Sequence, residues 1–210
     1  MKSVLMLVLL VLVIVGVWAA ANFGFEQTRA QTDTVYGAVR QIVVESERGD
    51  VDLVPARRRI EVRQTRHWVL SRPKLEQTRK NGVLTLKSTC PAEAVVLKCY
   101  SDLRVAVPAG LYVMIQADSG DVDVRGPNLR EVHAETDAGD IELDLRGLQE
   151  HVVAGSDSGD VEVAVPRGAY RIRARSGSGD ADVSGLRRNG RSLQSVHART
   201  DSGDVSVRAR

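Results

Sequence analysis

Aromatic residues make up only 4% of this 210-residue chain. A large aromatic core is therefore excluded, and strands and turns rich in Val and Gly are favoured. Charge of one sign is not in excess: 29 basic and 27 acidic residues leave a net +2, which argues against a dedicated nucleic-acid partner. Cysteine is nearly absent. Cys90 and Cys99 are the only two, they do not form a Cys-x-x-Cys redox pair, and neither has nearby His or Cys partners for zinc. No Gly-x-Ser-x-Gly nucleophile elbow occurs.

One long uncharged run is present. Val4 to Ala21 follows Lys2 and ends in Ala19-Ala20-Ala21. A basic start, an apolar centre and a small-residue end fit a secretory signal, and the length also fits the short end of a membrane anchor. Residues 1–21 are thus expected to be a signal peptide or N-terminal membrane anchor, forming one hydrophobic helix. Both devices put the remainder outside the cytoplasm, in the cell envelope, either membrane-anchored or secreted/periplasmic. In that compartment a Cys90–Cys99 disulfide is the default. Residues 22–38 are polar and aperiodic and read as a linker.

What the chain has in abundance is one short motif. Gly-Asp pairs stand at Gly49-Asp50, Gly120-Asp121, Gly139-Asp140, Gly159-Asp160, Gly179-Asp180 and Gly203-Asp204, each followed by a strand-like alternation. From Asp121 onward the aspartates advance by 19, 20, 20 and 24 residues, a period that marks a repeat architecture. Aligned on that aspartate, the positions eight and six before it and one and three after it are apolar in all five copies from Asp121 onward; the positions between them are polar. Period-two alternation on both sides makes each repeat two short strands with one face inward, and Gly-Asp the corner between them. A single repeat cannot bury its apolar face, but stacked copies can. The expected fold is all-β, a β-solenoid of two-strand repeats spanning residues 39–210; an antiparallel sandwich is the alternative. Asp102 lies 19 residues before Asp121 and starts a degenerate copy.

Residues 55–100 break the period. They carry eleven Lys or Arg against three Asp or Glu, and about −7 remains for the chain outside them and residues 1–21. Ile60-Glu61-Val62 and Val83-Leu84-Thr85-Leu86, the latter after a tight-turn Asn81-Gly82, suggest an inserted pair of antiparallel strands. The basic stretch is a candidate surface for anionic lipid.

The S-G-D-V-x-V corners, the closures Val107-Pro108-Ala109-Gly110 and Val165-Pro166-Arg167-Gly168, and the strand Asn81-Gly82-Val83-Leu84-Thr85-Leu86 resemble the bacterial putative-adhesin family, exported β-strand-repeat domains of unknown function. The resemblance spans roughly residues 38–210 and implies an envelope-associated domain without known catalysis.

Stacked corner aspartates would repel one another by ~1 kcal/mol per neighbour even in water, so backbone amides, arginines or a cation must answer them. Turn capping is the first expectation and calcium the alternative; no other cofactor is expected. His133 and His197 share one outward column, and three coil steps of sequential stacking would separate them by ~14 Å, too far for a shared metal. Asp121 and Asp123 imitate a glycosidase pair, but such pairs recur in nearly every repeat, whereas an active site is unique.

The expected function is therefore a non-catalytic, adhesin-like or structural binding domain for a protein, polysaccharide or envelope component. The alternatives are an envelope-sensing accessory module for a membrane partner and a carbohydrate-active enzyme. Association at the edge of the C-terminal strand, with Thr200–Val207 as the last copy, is a further expectation.

Overall fold

Alternating Val, Ile and Leu with turn residues every ten or so positions produce a chain that is almost entirely strand. The computed structural model describes residues 6, 11–16, 26–91, 98–126, 128–147 and 149–210. Residues 6 and 11–16 are helical, and among the described residues no helix is long and apolar enough to cross a membrane. Most of residues 1–21, where a signal peptide or anchor is expected, lies outside the described residues.

Eighteen strands follow. They begin with β1 (Gln27–Val35), β2 (Gln41–Ser46), β3 (Val51–Pro55), β4 (Ile60–Trp68), β5 (Lys74–Lys80), β6 (Val83–Thr89) and β7 (Cys99–Val107). The regular copies are β8 (Tyr112–Ser119), β9 (Val122–Arg125), β10 (Glu131–Ala138), β11 (Ile141–Asp144), β12 (His151–Ser158) and β13 (Val161–Val165). The chain ends with β14 (Ala169–Ser178), β15 (Ala181–Ser184), β16 (Arg187–Arg188), β17 (Ser195–Ser202) and β18 (Val205–Ala209).

These strands form two nine-stranded sheets, ordered β1-β4-β7-β3-β9-β11-β13-β18-β15 (sheet A) and β16-β14-β17-β12-β10-β8-β2-β6-β5 (sheet B). Each regular coil is one strand of sheet B, a Gly-Asp corner, then one strand of sheet A. Neighbouring coils pair in parallel with like columns opposite, Val132 beside Val152 and Ile141 beside Val161, for example. The fold is thus the β-solenoid stack.

The core is the thin layer between the sheets. The four apolar columns are buried in every copy except the one at Gly179-Asp180, where Ala174 and Val183 are half-buried and Ala181 is exposed. Topology explains the exception. The final copy, β17–β18, is not at the end of the stack: β18 lies between β13 and β15, and β17 between β12 and β14. The chain lays down the outer coil β14–β15 first, returns through residues 185–194, and fills the gap. This corrects the expected open edge at Thr200–Val207, since both flanks of β18 are paired. The 24-residue step, against 19 or 20 elsewhere, accommodates that return.

The opposite end is built the same way. β7 inserts between β3 and β4, and β6 between β2 and β5. The expected strands at Ile60–Val62 and Val83–Leu86 are therefore not a pair with each other, since β4 and β6 lie in different sheets; the antiparallel pair within residues 55–100 is β5–β6. β4 runs antiparallel to β1 and β7 in sheet A, while β6 pairs parallel with β2 and antiparallel with β5 in sheet B. The stretch 22–38 is also not merely a linker, because it contains β1, the edge strand of sheet A.

Candidate functional site

Three surfaces carry the polar chemistry of this stack: the Gly-Asp corners and the outer faces of the two sheets. At the corners, each aspartate carboxylate accepts the backbone N–H of the corner aspartate in the next coil. The series runs Asp102 from Asp50 (3.2 Å), Asp50 from Asp121 (3.0 Å), Asp121 from Asp140 (2.9 Å) and Asp140 from Asp160 (2.8 Å). It continues with Asp160 from Asp204 and Asp204 from Asp180, both at 2.8 Å. The amides that answer the stacked carboxylates thus come from the neighbouring coil and not from the aspartate's own turn. A second ladder runs the same way: Thr136, Ser156, Ser176 and Thr200 donate side-chain hydroxyls to the Gly carbonyl of the adjacent coil, Ser156 Oγ to Gly139 O at 2.9 Å among them. The Ser/Thr column four residues before Asp140, Asp160, Asp180 and Asp204, which Ala117 interrupts before Asp121, was readable as a repeat feature; its role required knowing that coils touch at the corners. Among the described residues no group of three or more His, Cys, Asp or Glu is arranged to hold a metal.

The ladder makes a graded prediction. Asp140→Ala removes an acceptor and leaves the Asp160 amide without it, at a cost of about 1 kcal/mol for an exposed charge-assisted bond. Asp140→Asn keeps an acceptor oxygen and relieves carboxylate repulsion, so its stability should stay within about 0.5 kcal/mol of the parent. Asp180 ends the ladder, and Asp180→Ala should cost less than Asp140→Ala. Urea midpoints of the three variants check the order.

On the outer face of sheet A, register aligns Asp52, Asp123, Glu142 and Glu162 across four strands. Arginines answer this row: Arg104 meets Asp52 at 2.9 Å, Arg125 bridges Asp123 and Glu142, and Arg208 Nε donates to Glu162 at 2.7 Å. The Asp123 carboxyl is nevertheless raised to about 6, chiefly by burial; Arg125 opposes this, while Glu142 and Asp52 reinforce it. A folded pKa above the unfolded value means that the native state binds more protons between about pH 4 and 6. This contribution to stability is therefore present below pH 4 and is lost as pH rises through about 6, by about 1 kcal/mol after allowance for solvent screening. Asp123→Asn should remove that slope and be the more stable protein at pH 7.5, as thermal melts across pH 4–8 would show.

The outer face of sheet B is different. Its outward rows run, in register, Arg173–His197–Val153–His133–Met114–Val43 and Arg175–Arg199–Gly155–Glu135–Gln116–Glu45. Arg199 lies across Gly155, where a Cβ would sit 3.1 Å from its Nε, and reaches Glu135 Oε1 at 3.2 Å. Burial acts to raise the Glu135 carboxyl, but contacts with His133 and Arg199 outweigh it and hold it low. Beyond Glu135 toward the β14 end, these two rows carry no carboxylate; the next outward positions, Asp157 on β12 and Asp201 on β17, are exposed acids at the corner end of the face. A cleft of about 220 Å³ opens there, lined by Val153, Arg173, Arg175, His197 and Arg199. His197 is held below the usual imidazole range by burial and by the charges of Arg173, Arg171 and His151, and its Nε2 is buried without a partner.

A stacked two-sheet coil with aspartate corners, matched over residues 36–209, decides the family. The chain belongs to the Toastrack DUF4097 family. Its fold is similar to that of a putative cell adhesion protein from Clostridium sporogenes, with a TM-score of 0.67 at 13% identity over 88% of this chain and 100% of that one. Weaker likenesses are to a putative adhesin from Bacteroides fragilis (TM-score 0.39, 9% identity, 87% of this chain and 97% of that one) and one from Parabacteroides distasonis (0.40, 10%, 88% and 97%). No curated protein matches the chain.

Within this Toastrack domain, the residues singled out from sequence have clear places. Gly49, Gly120, Gly139, Gly159, Gly179 and Gly203 all have positive φ at the corners, and their aspartates form the ladder. Cys90 and Cys99 are bonded, tying the residue after β6 to the first residue of β7. The basic stretch 55–100 is divided between the sheets, with Arg63 and Arg66 on β4 and Lys74, Arg79 and Lys80 on β5. Several of its charges are engaged, Lys87 with Glu45 at 3.0 Å and Lys98 with Glu26 at 2.9 Å. His133 and His197 are two strands apart, not three, because β17 is inserted beside β12. Strand spacing puts them ~10 Å apart, still too far for one metal. The arginine-lined cleft was missed although Arg175 and Arg199 are consecutive in one outward column, because polarity in that column marks only a solvated face; the neighbour that completes the cleft, Val153 beside His197, follows from the inserted coil.

Proposed function

We propose that this Toastrack domain is a non-catalytic binding module of the cell envelope, adhesin-like in role, displayed on the extracytoplasmic side and engaging its ligand with the outer face of sheet B. The observation that carries this reading is the contrast between the two outer faces. Sheet A answers its carboxylates with arginines, whereas sheet B leaves apolar and cationic side chains in register and open to solvent, with a cleft among them. A flat, register-locked strand surface offers fixed positions for many weak contacts, which suits recognition of an extended ligand. The similar fold of a protein described as a putative cell adhesion protein supports the same reading, as does the apolar run from Val4 to Ala21.

The test is retention of the full chain on intact envelopes after fractionation, with N-terminal sequencing of the recovered protein. Retention that a sheet B variant such as Arg173→Glu/Arg199→Glu abolishes supports the reading. A soluble cytoplasmic chain, or retention indifferent to sheet B, would overturn it. Turnover of a glycan substrate that disappears in Asp121→Asn/Asp123→Asn would overturn the non-catalytic assignment.

A further inference from the structure

From Arg167 to Arg199 the chain holds eight arginines and two aspartates, a net +6 that exceeds the charge of the whole protein. All eight arginines are exposed, and the fold gathers four of them onto one surface. Arg171, Arg173 and Arg175 point outward from β14 at every second residue, a pitch of ~6.7 Å. Register sets Arg175 beside Arg199 and Arg173 beside His197, ~4.8 Å away across the β14–β17 pair. Like charges directly opposite on a sheet destabilise it. Among the described residues only Arg199 of these four has a salt-bridge partner, Glu135; the adjoining β12 offers His151, Val153, Gly155 and Asp157 on this face, and neither Asp157 nor Asp201 of β17 forms a salt bridge with the four. Seven strands of sheet A separate β15 from β1, so this charge lies at the end of the stack away from β1.

We propose that the cleft formed by Arg173, Arg175, Arg199 and His197 binds a phosphate group of a linear phosphate-bearing polyanion, with Arg171 continuing the track along β14. This rests on sheet B being the ligand-bearing face and names the chemistry of what it holds. The geometry favours phosphate over carboxylate. A carboxylate's two oxygens lie in one plane and match one guanidinium fork, whereas a phosphate's non-bridging oxygens are disposed tetrahedrally and can accept from two forks in different planes and from a further donor. Here two forks meet across one strand pair. The His197 Nε2, buried and unpartnered, lies in the same cleft and can donate or accept according to tautomer. The repeat pitch of the β14 arginines suits a chain of anions and not a single one.

The full 210-residue chain in neutral detergent is titrated with fluorescein-labelled linear polyphosphate and read by anisotropy. Polyphosphate should bind, and Arg171→Gln/Arg173→Gln/Arg175→Gln should weaken it at least tenfold and lower the log–log salt slope by about 2. Arg57→Gln/Arg58→Gln/Lys74→Gln removes as many charges at the other end and should leave binding within twofold. Arg173→Lys/Arg175→Lys keeps charge and loses the forks, and should weaken binding without changing the melting temperature. Equal losses in the two triple variants would mean diffuse attraction and overturn the site. Labelled polyglutamate binding as tightly as polyphosphate would overturn the assignment to phosphate. Vesicles with 30% phosphatidylglycerol binding in a β14-dependent way, with no polyphosphate binding, would replace the polymer by a membrane. Envelope retention that persists while polyphosphate binding fails would sink this inference and leave the binding reading standing; the reverse result would do the opposite.

Discussion

Gly139→Ala lowers the stability of the domain by about 4 kcal/mol, a loss read as a fall on the order of 10 °C in melting temperature. Two causes add. Gly139 sits at φ +148°, where an L side chain is strained, and a Cβ built there would lie 2.1 Å from the carbonyl oxygen of Gly120 in the adjacent coil. That oxygen cannot easily give way, because it accepts the Thr136 hydroxyl at 3.3 Å. Relief would have to come from spreading two coils at the corner, against the hydrogen bond that the Asp140 backbone N–H donates to the Asp121 carboxylate. Gly110 separates the causes: its φ is +83° but a Cβ there meets nothing within 4 Å. Gly110→Ala should cost only about 1–2 kcal/mol, the strain alone. Urea denaturation of both variants gives the difference, and equal losses would show that close approach of coils at the corners contributes nothing.

The corner glycine was legible in the sequence because steric demand at a repeated position leaves the same residue in every copy. The same holds for the four inward columns, since Val132, Val152 and Val196 stack on one another and must match in size and polarity. What the columns do not contain is the order of the coils. Every copy presents nearly the same edge to its neighbours, so pairing β13 with β18 satisfies the same bonds as pairing it with β15 would. The choice falls to the copy least able to be covered. At the Asp180 copy the columns read Ala174, Ala181 and Val183, and its outward side is Arg171, Arg173 and Arg175, a combination that loses little by lying at an end. That bias is visible once the ordering is known, but weak beside the regular period. The aspartate ladder was hidden for a related reason: turn capping within one corner and bonding between corners call for the same side chain.

The inserted order leads to the second large effect. Deleting residues 187–210 removes β16, β17 and β18, and with them Val196, Ala198, Val205 and Val207, none more than 2% exposed. At roughly 2 kcal/mol for each buried Val the loss exceeds about 5 kcal/mol, before the unpaired edges of β12 and β13 are considered. Had the copies stacked in sequence order, the same deletion would merely shorten the stack by its outermost coil. Instead β14–β15 loses its only neighbouring coil, so the truncated chain should expose residues 169–186 to protease at once while the coils up to β13 persist. Point variants make the same distinction without deletion. Val183 and Val207 occupy the same column in the two copies, but Val207 is fully buried and Val183 only half so. Val207→Ala should cost about 2 kcal/mol and Val183→Ala less than about 1. A larger loss from Val183→Ala would return the Asp180 copy to the interior and the Asp204 copy to the edge. The order also bears on folding, because β14 and β15 are made before the coil they pack against. They can pair only once β17 and β18 have arrived, so variants weakening β17–β18 should delay protection of β14 amides in pulsed hydrogen exchange, and variants of β15 should not delay protection of β12.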